Sequence, residues 1–303
     1  MRRVVAIANG KGGVGKTSLT AGLAGLVAAA GYRVLVVDSD PQGNLRRDLG
    51  YATNDANSLA LAILHGLPVH IQHNVREGLD VIAGGPSLYD VPTAAISRAA
   101  RGEALAGLGP ALDKARPEKP HADYDLVLID TPPGEPVIQD IVFAAADYLI
   151  IPTRSDEASL DGLVVVAQRF AAARRTNPAL ELLGVLLFGV RAGSKRLRDT
   201  VRVALEETLD GAAPVFETSI RYLESAAVDM RRHGLLPHEL EHGQQAQQKR
   251  RLRRLRGAPK PGADEDLLSR DASGLASDYT ALAREVLTAI AEREVAKTAA
   301  VSR

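Results

Sequence analysis

The chain is 303 residues long, with 37 Lys and Arg against 37 Asp and Glu, 46% hydrophobic residues, and neither Cys nor Trp. That length holds one large α/β domain or two small ones, and the apolar fraction is enough for a sizeable core. The missing cysteines exclude a disulfide scaffold, a thiolate metal site, a Cys-ligated iron–sulfur cluster and a cysteine nucleophile, and zero net charge argues against a uniformly basic nucleic-acid binder while leaving room for local patches.

No apolar run approaches the roughly 18 residues of a membrane span, and Lys11 interrupts the N-terminus too early for a secretory signal. The expectation is a soluble cytoplasmic protein. In chain order, strands are expected at residues 3–8, 33–38, 79–83, 125–130, 148–152 and 181–190, and helices at 16–30, 97–115, 138–145, 157–176 and 198–209. Most of the strands are continuously apolar, which suits parallel strands covered on both faces. The alternation predicts a doubly wound, mostly parallel α/β sheet flanked by helices, and such sheets bind ligands at the carboxyl ends of their strands. Residues 84–92 and 115–121 read as loops. Residues 244–262 (QQAQQKRRLRRLRGAPKPG) form a basic insert, and residues 273–290 resume an amphipathic helix through Leu275, Tyr279, Leu282, Val286 and Ile290. The polar, alanine-rich residues 291–303 read as a flexible tail of one domain spanning 1–303.

After the first strand comes Gly10-Lys11-Gly12-Gly13-Val14-Gly15-Lys16-Thr17, then an Ala/Leu-rich helix. This satisfies the phosphate-loop pattern G-x-x-x-x-G-K-[ST] in its strand–loop–helix setting. Glycines let the main chain approach a phosphate, and successive N–H groups point at one anion with help from the positive end of the next helix. The nucleotide-binding set is therefore Gly12, Gly13, Val14, Gly15, Lys16, Thr17 and Ser18. Lys16 neutralises β- and γ-phosphate oxygens, and the Thr17 hydroxyl ligates Mg²⁺. Lys11 is redundant within one subunit; a lysine reaching a second subunit's phosphates makes better sense of it, in the part an arginine finger plays elsewhere.

Two further strands end in acids. Residues 34–37 lead into Asp38-Ser39-Asp40-Pro41-Gln42-Gly43-Asn44, and residues 126–129 into Asp130-Thr131-Pro132-Pro133-Gly134. Asp130 suits a carboxylate that holds Mg²⁺ or its water shell; Asp40 suits one that orients the attacking water, with Asp38 nearer the metal. Each Asp alone also suits an ordinary turn after a strand. Three strand ends meeting at one triphosphate-sized site are not accidental, and they point to a nucleotide held with Mg²⁺. The histidines lack ligand spacing: His238 and His242 sit four apart with no third ligand nearby, so no transition-metal site is expected. No Ser–His–Asp set occurs in a nucleophile setting.

These residues resemble a known family. K-G-G-V-G-K-T-S is similar to the deviant Walker A box of the ParA/MinD group of P-loop ATPases, whose signature lysine matches Lys11. V-L-V-V-D-S-D-P-Q-G-N resembles the second box of the ParA branch, and L-V-L-I-D-T-P-P its Walker B box. Leu149-Ile150-Ile151-Pro152-Thr153 with Ser159 and Gly162, the late stretch from Ile220 to Ala226 with Gly234 and Pro237, and the C-terminal helix extend the likeness over most of the chain.

The resemblance makes that nucleotide ATP and implies a plasmid or chromosome partition ATPase, nucleoid-associated in the cytoplasm. It forms a homodimer when ATP-bound, coats double-stranded DNA without sequence preference, and is stimulated by a centromere-binding ParB-like protein. Lys11 then contacts phosphate across the dimer, and Lys16, Thr17, Asp40 and Asp130 carry the chemistry, with weak basal hydrolysis. DNA contacts fall on Arg191, Lys195, Arg196, Arg198 and Arg202, and on Arg221. The insert adds Lys249, Arg250, Arg251, Arg253, Arg254, Arg256 and Lys260, read either as a further phosphate-backbone contact or as a solvated face, with Leu252 and Leu255 on one side of a possible helix.

The departures from the family pattern also matter. The chain starts at its first strand, so the expectation is a form without the helix-turn-helix extension of larger members. Thr218-Ser219 stands where a proline is common, and the lack of Cys removes the iron–sulfur branches. The tail lacks a Lys-rich, bulky-apolar amphipathic pattern, which argues for no membrane contact and against a MinD-like membrane-associated ATPase. A metabolic P-loop enzyme of the same fold is the other alternative.

Overall fold

Continuously apolar strands need cover on both faces, and the fold supplies it with helices. A computed structural model describes residues 3–52, 57–117, 123–191, 199, 202–203, 214–255, 268 and 274–301. The sheet contains β1 (Arg3–Ile7), β2 (Val34–Asp38), β3 (Gln72–Arg76), β4 (Leu79–Ile82), β5 (Leu126–Asp130), β6 (Tyr148–Thr153), β7 (Glu181–Arg191) and β8 (Ile220–Tyr222). Their order is β3-β4-β2-β5-β1-β6-β7-β8, and only the β3–β4 pair is antiparallel. The doubly wound, mostly parallel sheet read from the sequence is the one observed.

The helices are α1 (Lys16–Ala29), α2 (Leu45–Leu49), α3 (Ser58–His65), α4 (Asp90–Ala100), α5 (Gly109–Lys114), α6 (Pro136–Ala145), α7 (Glu157–Ala173), α8 (Glu224–His233), α9 (Pro237–Leu255) and α10 (Leu275–Val301). Alternate strand residues enter two separate cores. Val5, Ile7, Val34, Val36 and Leu128 face α1, α2, α8, α9 and α10 through residues such as Leu19, Leu45, Met230, Leu240 and Tyr279. Val4, Ala6, Leu35, Val37 and Ile129 face α3 to α7 through Leu59, Val91, Leu112, Val142 and Val166.

Several expectations are corrected. The helix expected over 97–115 is two helices: α4 begins at Asp90, and the chain breaks between them at Gly102 and Gly107, whose φ angles are +71° and +80°. The loop expected over 84–92 holds a 3₁₀ turn at Pro86–Tyr89 and the start of α4. The tail expected to be flexible from residue 291 continues α10 to Val301. Its charges explain why: Glu294 pairs with Arg3 at 2.8 Å, and Lys297 reaches Glu181 at 2.8 Å and lies over the Tyr148 ring at 4.8 Å. The first half of the basic insert is the end of α9, with Lys249 and Arg250 exposed; residues 256–262 lie outside the described set. Most of the helix expected over 198–209 also lies outside it.

Candidate nucleotide site

The parallel register sets the site. Ile7, Asp130 and Asp38 are in line across β1, β5 and β2, so the phosphate loop after β1 lies beside both acids at the carboxyl ends of the strands. Asn9, the last residue before the loop, anchors it: its side-chain amide donates to the Pro152 carbonyl at 2.8 Å, and its Oδ1 accepts the Lys11 N–H at 2.8 Å. Thr131 closes the next seam by donating its hydroxyl to the Ile7 carbonyl at 2.8 Å. The sequence reading did not single out Asn9, whose position directly before the glycines was its only signal.

Gly13 and Gly15 take left-handed φ values of +78° and +89°. At Gly15 a side chain is also excluded by packing, since a Cβ there would stand 2.2 Å from the Phe188 ring. Gly12 and Gly13 are exposed at the mouth, whereas Val14 is fully buried and fixes the loop from below. Lys16 is 5% exposed, and its ammonium donates to the Lys11 carbonyl at 3.0 Å. Burial pulls its pKa down, and the charges of Asp130 and Asp40 oppose that pull.

Asp38, Asp40, Asp48 and Asp130 are all buried around this lysine. Asp38 accepts the N–H groups of Asp40 at 3.1 Å and Leu45 at 3.3 Å, yet burial outweighs them and lifts its pKa to about 7. Asp40 accepts the Gln42 N–H at 2.8 Å, which fixes the turn after β2. Asp130 is fully buried, and neither carboxylate oxygen has a hydrogen-bond partner among the described residues. Burial and the charge of Asp38 raise its pKa well above the usual range, while the Thr17 hydroxyl and Lys16 work the other way. A cluster with more buried acid than cation is incomplete electrostatically and is suited to receive positive charge.

Other expected residues have different surroundings. Ser18 donates its hydroxyl to Asp48 at 2.8 Å, so that group is engaged within the protein. Asp48, missed in the sequence because nothing in the motif marks it, also lies 3.7 Å from Arg231 of α8. Lys11 forms an ion pair with Asp156 at 2.5 Å. Arg221 clamps Asp278 of α10 through Nε at 2.6 Å and Nη2 at 2.8 Å, which makes it a staple between β8 and α10. Arg202 pairs with Glu217. Lys195, Arg196 and Arg198 lie outside the described residues, as do the side chains of Arg191, Arg251, Arg253 and Arg254.

Residues 2–182 match a family described as an AAA domain. A chromosome partitioning protein ParA from Caulobacter vibrioides is 36% identical over 189 residues, covering 61% of this chain and 68% of the relative. The sporulation initiation inhibitor protein Soj of Bacillus subtilis is 33% identical over 196 residues, covering 62% and 72%. Among solved structures, a cobyrinic acid a,c-diamide synthase from Mycobacterium smegmatis with bound ADP and magnesium is 28% identical with a TM-score of 0.62, covering 77% of this chain and 93% of its own. Together with the phosphate loop and the acidic strand ends, these matches establish that the chain belongs to the ParA-type family of P-loop ATPases.

Proposed function

We propose that this protein is an ATP-driven partition switch that dimerises on ATP, binds double-stranded DNA without sequence preference, and is reset by hydrolysis that a ParB-like centromere-binding partner stimulates. The observation that carries this reading is the meeting of Lys16 with Asp38, Asp40 and Asp130 at three adjacent strand ends, with a second lysine, Lys11, at the loop's rim. A metabolic enzyme needs the first set but has no use for the second lysine.

The residues fit a magnesium nucleotide. Asp130 has a buried carboxylate without partners, Thr17 lies next to it, and the loop from Gly12 to Thr17 is held open by glycines at left-handed φ. Asp130, Thr17 and Asp38 would hold Mg²⁺ or its water shell. The ion supplies neutralisation of charge on the β- and γ-phosphate oxygens. Lys16 binds those oxygens from the loop side, the loop N–H groups orient the triphosphate, and Asp40 holds the attacking water by accepting its hydrogen bond. Lys11 completes the charge on the partner subunit's phosphates. Slow basal turnover suits a switch whose ATP-bound form must last through a search on DNA.

No helix among the described residues is long and apolar enough to cross a membrane, and we place the protein in the cytoplasm on the nucleoid. The test is a gel shift on non-specific duplex DNA. Asp40→Ala protein with ATP should hold a stable shifted complex, and Lys16→Ala protein should neither bind ATP nor shift. Absence of any ATP-dependent shift with the wild type would overturn the partition reading. The likeness to a cobyrinic acid a,c-diamide synthase favours a second reading, a metabolic P-loop enzyme. That reading gains if Lys11→Ala leaves both dimerisation and ATPase activity intact.

A further inference from the structure

Tyr51 and Asp130 leave three buried oxygens without a hydrogen-bond partner among the described residues: the tyrosine hydroxyl and both carboxylate oxygens. Tyr51 is 9% exposed and lies just beyond α2. That helix starts where Leu45 gives its N–H to Asp38 and ends at Gly50, so it spans the distance between the acid and the tyrosine. The ring belongs to the core that also contains Leu45 and Leu49. Burial, with the charges of Asp38 and Asp130, raises the phenol's pKa, so the hydroxyl keeps its proton. A phenylalanine would fill the same apolar space without burying an unpaired polar atom. A buried hydroxyl without a partner among the described residues, near enough to Asp38 and the unpaired Asp130 to feel their charge, is accounted for by a partner that arrives with the ligand.

We propose that the Tyr51 hydroxyl is a positioning group for the hydrated divalent cation: it takes its missing hydrogen bond from one water of the cation's shell. The proposal rests on the reading of this site as a magnesium–nucleotide site and adds to it a residue outside every motif of the phosphate loop and the acidic strand ends. It also links α2, whose first residue donates its N–H to Asp38, to metal occupancy.

The test uses the full chain, wild type and Tyr51→Phe, with a fluorescent ADP titrated with Mg²⁺, and compares the thermal midpoints of the metal-free proteins. Tyr51→Phe should keep or raise the metal-free midpoint and bind ADP without Mg²⁺ as the wild type does. It should need about three- to tenfold more Mg²⁺ for half-saturation, the loss expected for one ordinary hydrogen bond between a hydroxyl and a water. An unchanged Mg²⁺ requirement overturns the proposal. So does a lowered metal-free midpoint, because the hydroxyl would then already have a partner. A wild type whose ADP affinity does not respond to Mg²⁺ overturns the underlying site reading as well, and the two failures are thereby distinguished.

Discussion

Lys11 and Asp156 are joined within one chain, ammonium to carboxylate at 2.5 Å, across the gap between the phosphate loop and the segment before α7. In the proposed dimer the same lysine serves the partner subunit's phosphates, so the internal pair and the intersubunit contact compete for one charge. Both side chains are partly exposed, and a pair of this kind is worth about 0–1 kcal/mol. Two such pairs are given up per dimer, so Asp156→Ala should lower the protein concentration for half-maximal ATP-dependent dimerisation, by no more than about thirtyfold. Sedimentation velocity with a non-hydrolysed ATP analogue measures it, and a rise in that concentration would contradict the competition.

The loop itself gives a sharper prediction. Gly15→Ala places a Cβ at φ +89° and against Phe188. The left-handed backbone costs about 1–2 kcal/mol for an alanine, and the overlap adds about 1–3 kcal/mol of overpacking. Phe188→Leu in the Gly15→Ala background should restore the second part but not the first. Thermal midpoints of the two single variants and the double variant form the cycle that checks this. Equal midpoints for Gly15→Ala and the double variant would show that Phe188 is not the obstacle.

The contrast between what the sequence made legible and what it hid has a physical basis. The proposed phosphate binding is local: Gly13, Gly15, Lys16 and Thr17 lie in one short loop, so the chemistry proposed for them is written in nearly consecutive letters. Buried parallel strands are legible for the same reason, since β1, β2 and β5 are each apolar at every position but one terminal residue, Arg3, Asp38 and Asp130. β3 was missed because it is an edge strand of sequence QHNVR with no buried residue, and β8 because it is three residues long. Asn9, Asp48 and Asp156 gain their roles only through partners at Pro152, Ser18 and Lys11. The DNA-contact reading of Arg221 comes from its place in the family's late motif, and the sequence gives no sign of its ion pair with Asp278, 57 residues further on.

Charge on α9 is open to a salt-dependence test. Lys249 and Arg250 are exposed near the end of a helix whose last residues continue the basic run. Where a lysine or arginine neutralises a DNA phosphate, its loss reduces the slope of log K against log salt by about 0.9. Lys249→Ala and Arg250→Ala should each flatten the slope by about that amount if α9 joins the proposed DNA contact. An unchanged slope in both would assign the basic run to a solvated face.

The junction of α8 and α9 should make stability fall in two steps on acidification. Burial holds His238 below the ordinary histidine range, and its Nδ1 has no hydrogen-bond partner among the described residues. Burial acts to raise the carboxyl of Glu239, but hydrogen bonds from Arg76 and from the Leu236 N–H, at 2.8 Å, hold it below the usual range. Arg76 also donates to the carbonyls of Leu49 at 2.8 Å and Gly234 at 2.7 Å, so the same guanidinium joins α2, α8 and α9. For both groups the unfolded chain takes up the proton first. Their contributions are complete above the unfolded pKa values, about 6.5 for His and 4.3 for Glu, and are lost as pH falls through the lower folded values. The His238 contribution should thus be lost below about pH 6.5 and the Glu239 contribution below about pH 4.3. Each is read as the difference in thermal midpoint between the wild type and the Gln variant, because Asp38 and Asp130, whose carboxyls burial raises, add stability over the same fall in pH. His238→Gln removes the titrating ring and should flatten the upper step alone, while Glu239→Gln should weaken the junction at neutral pH and flatten the lower step. A midpoint difference between the wild type and His238→Gln that stays level from about pH 7 to 5 would place the acid sensitivity elsewhere in the fold.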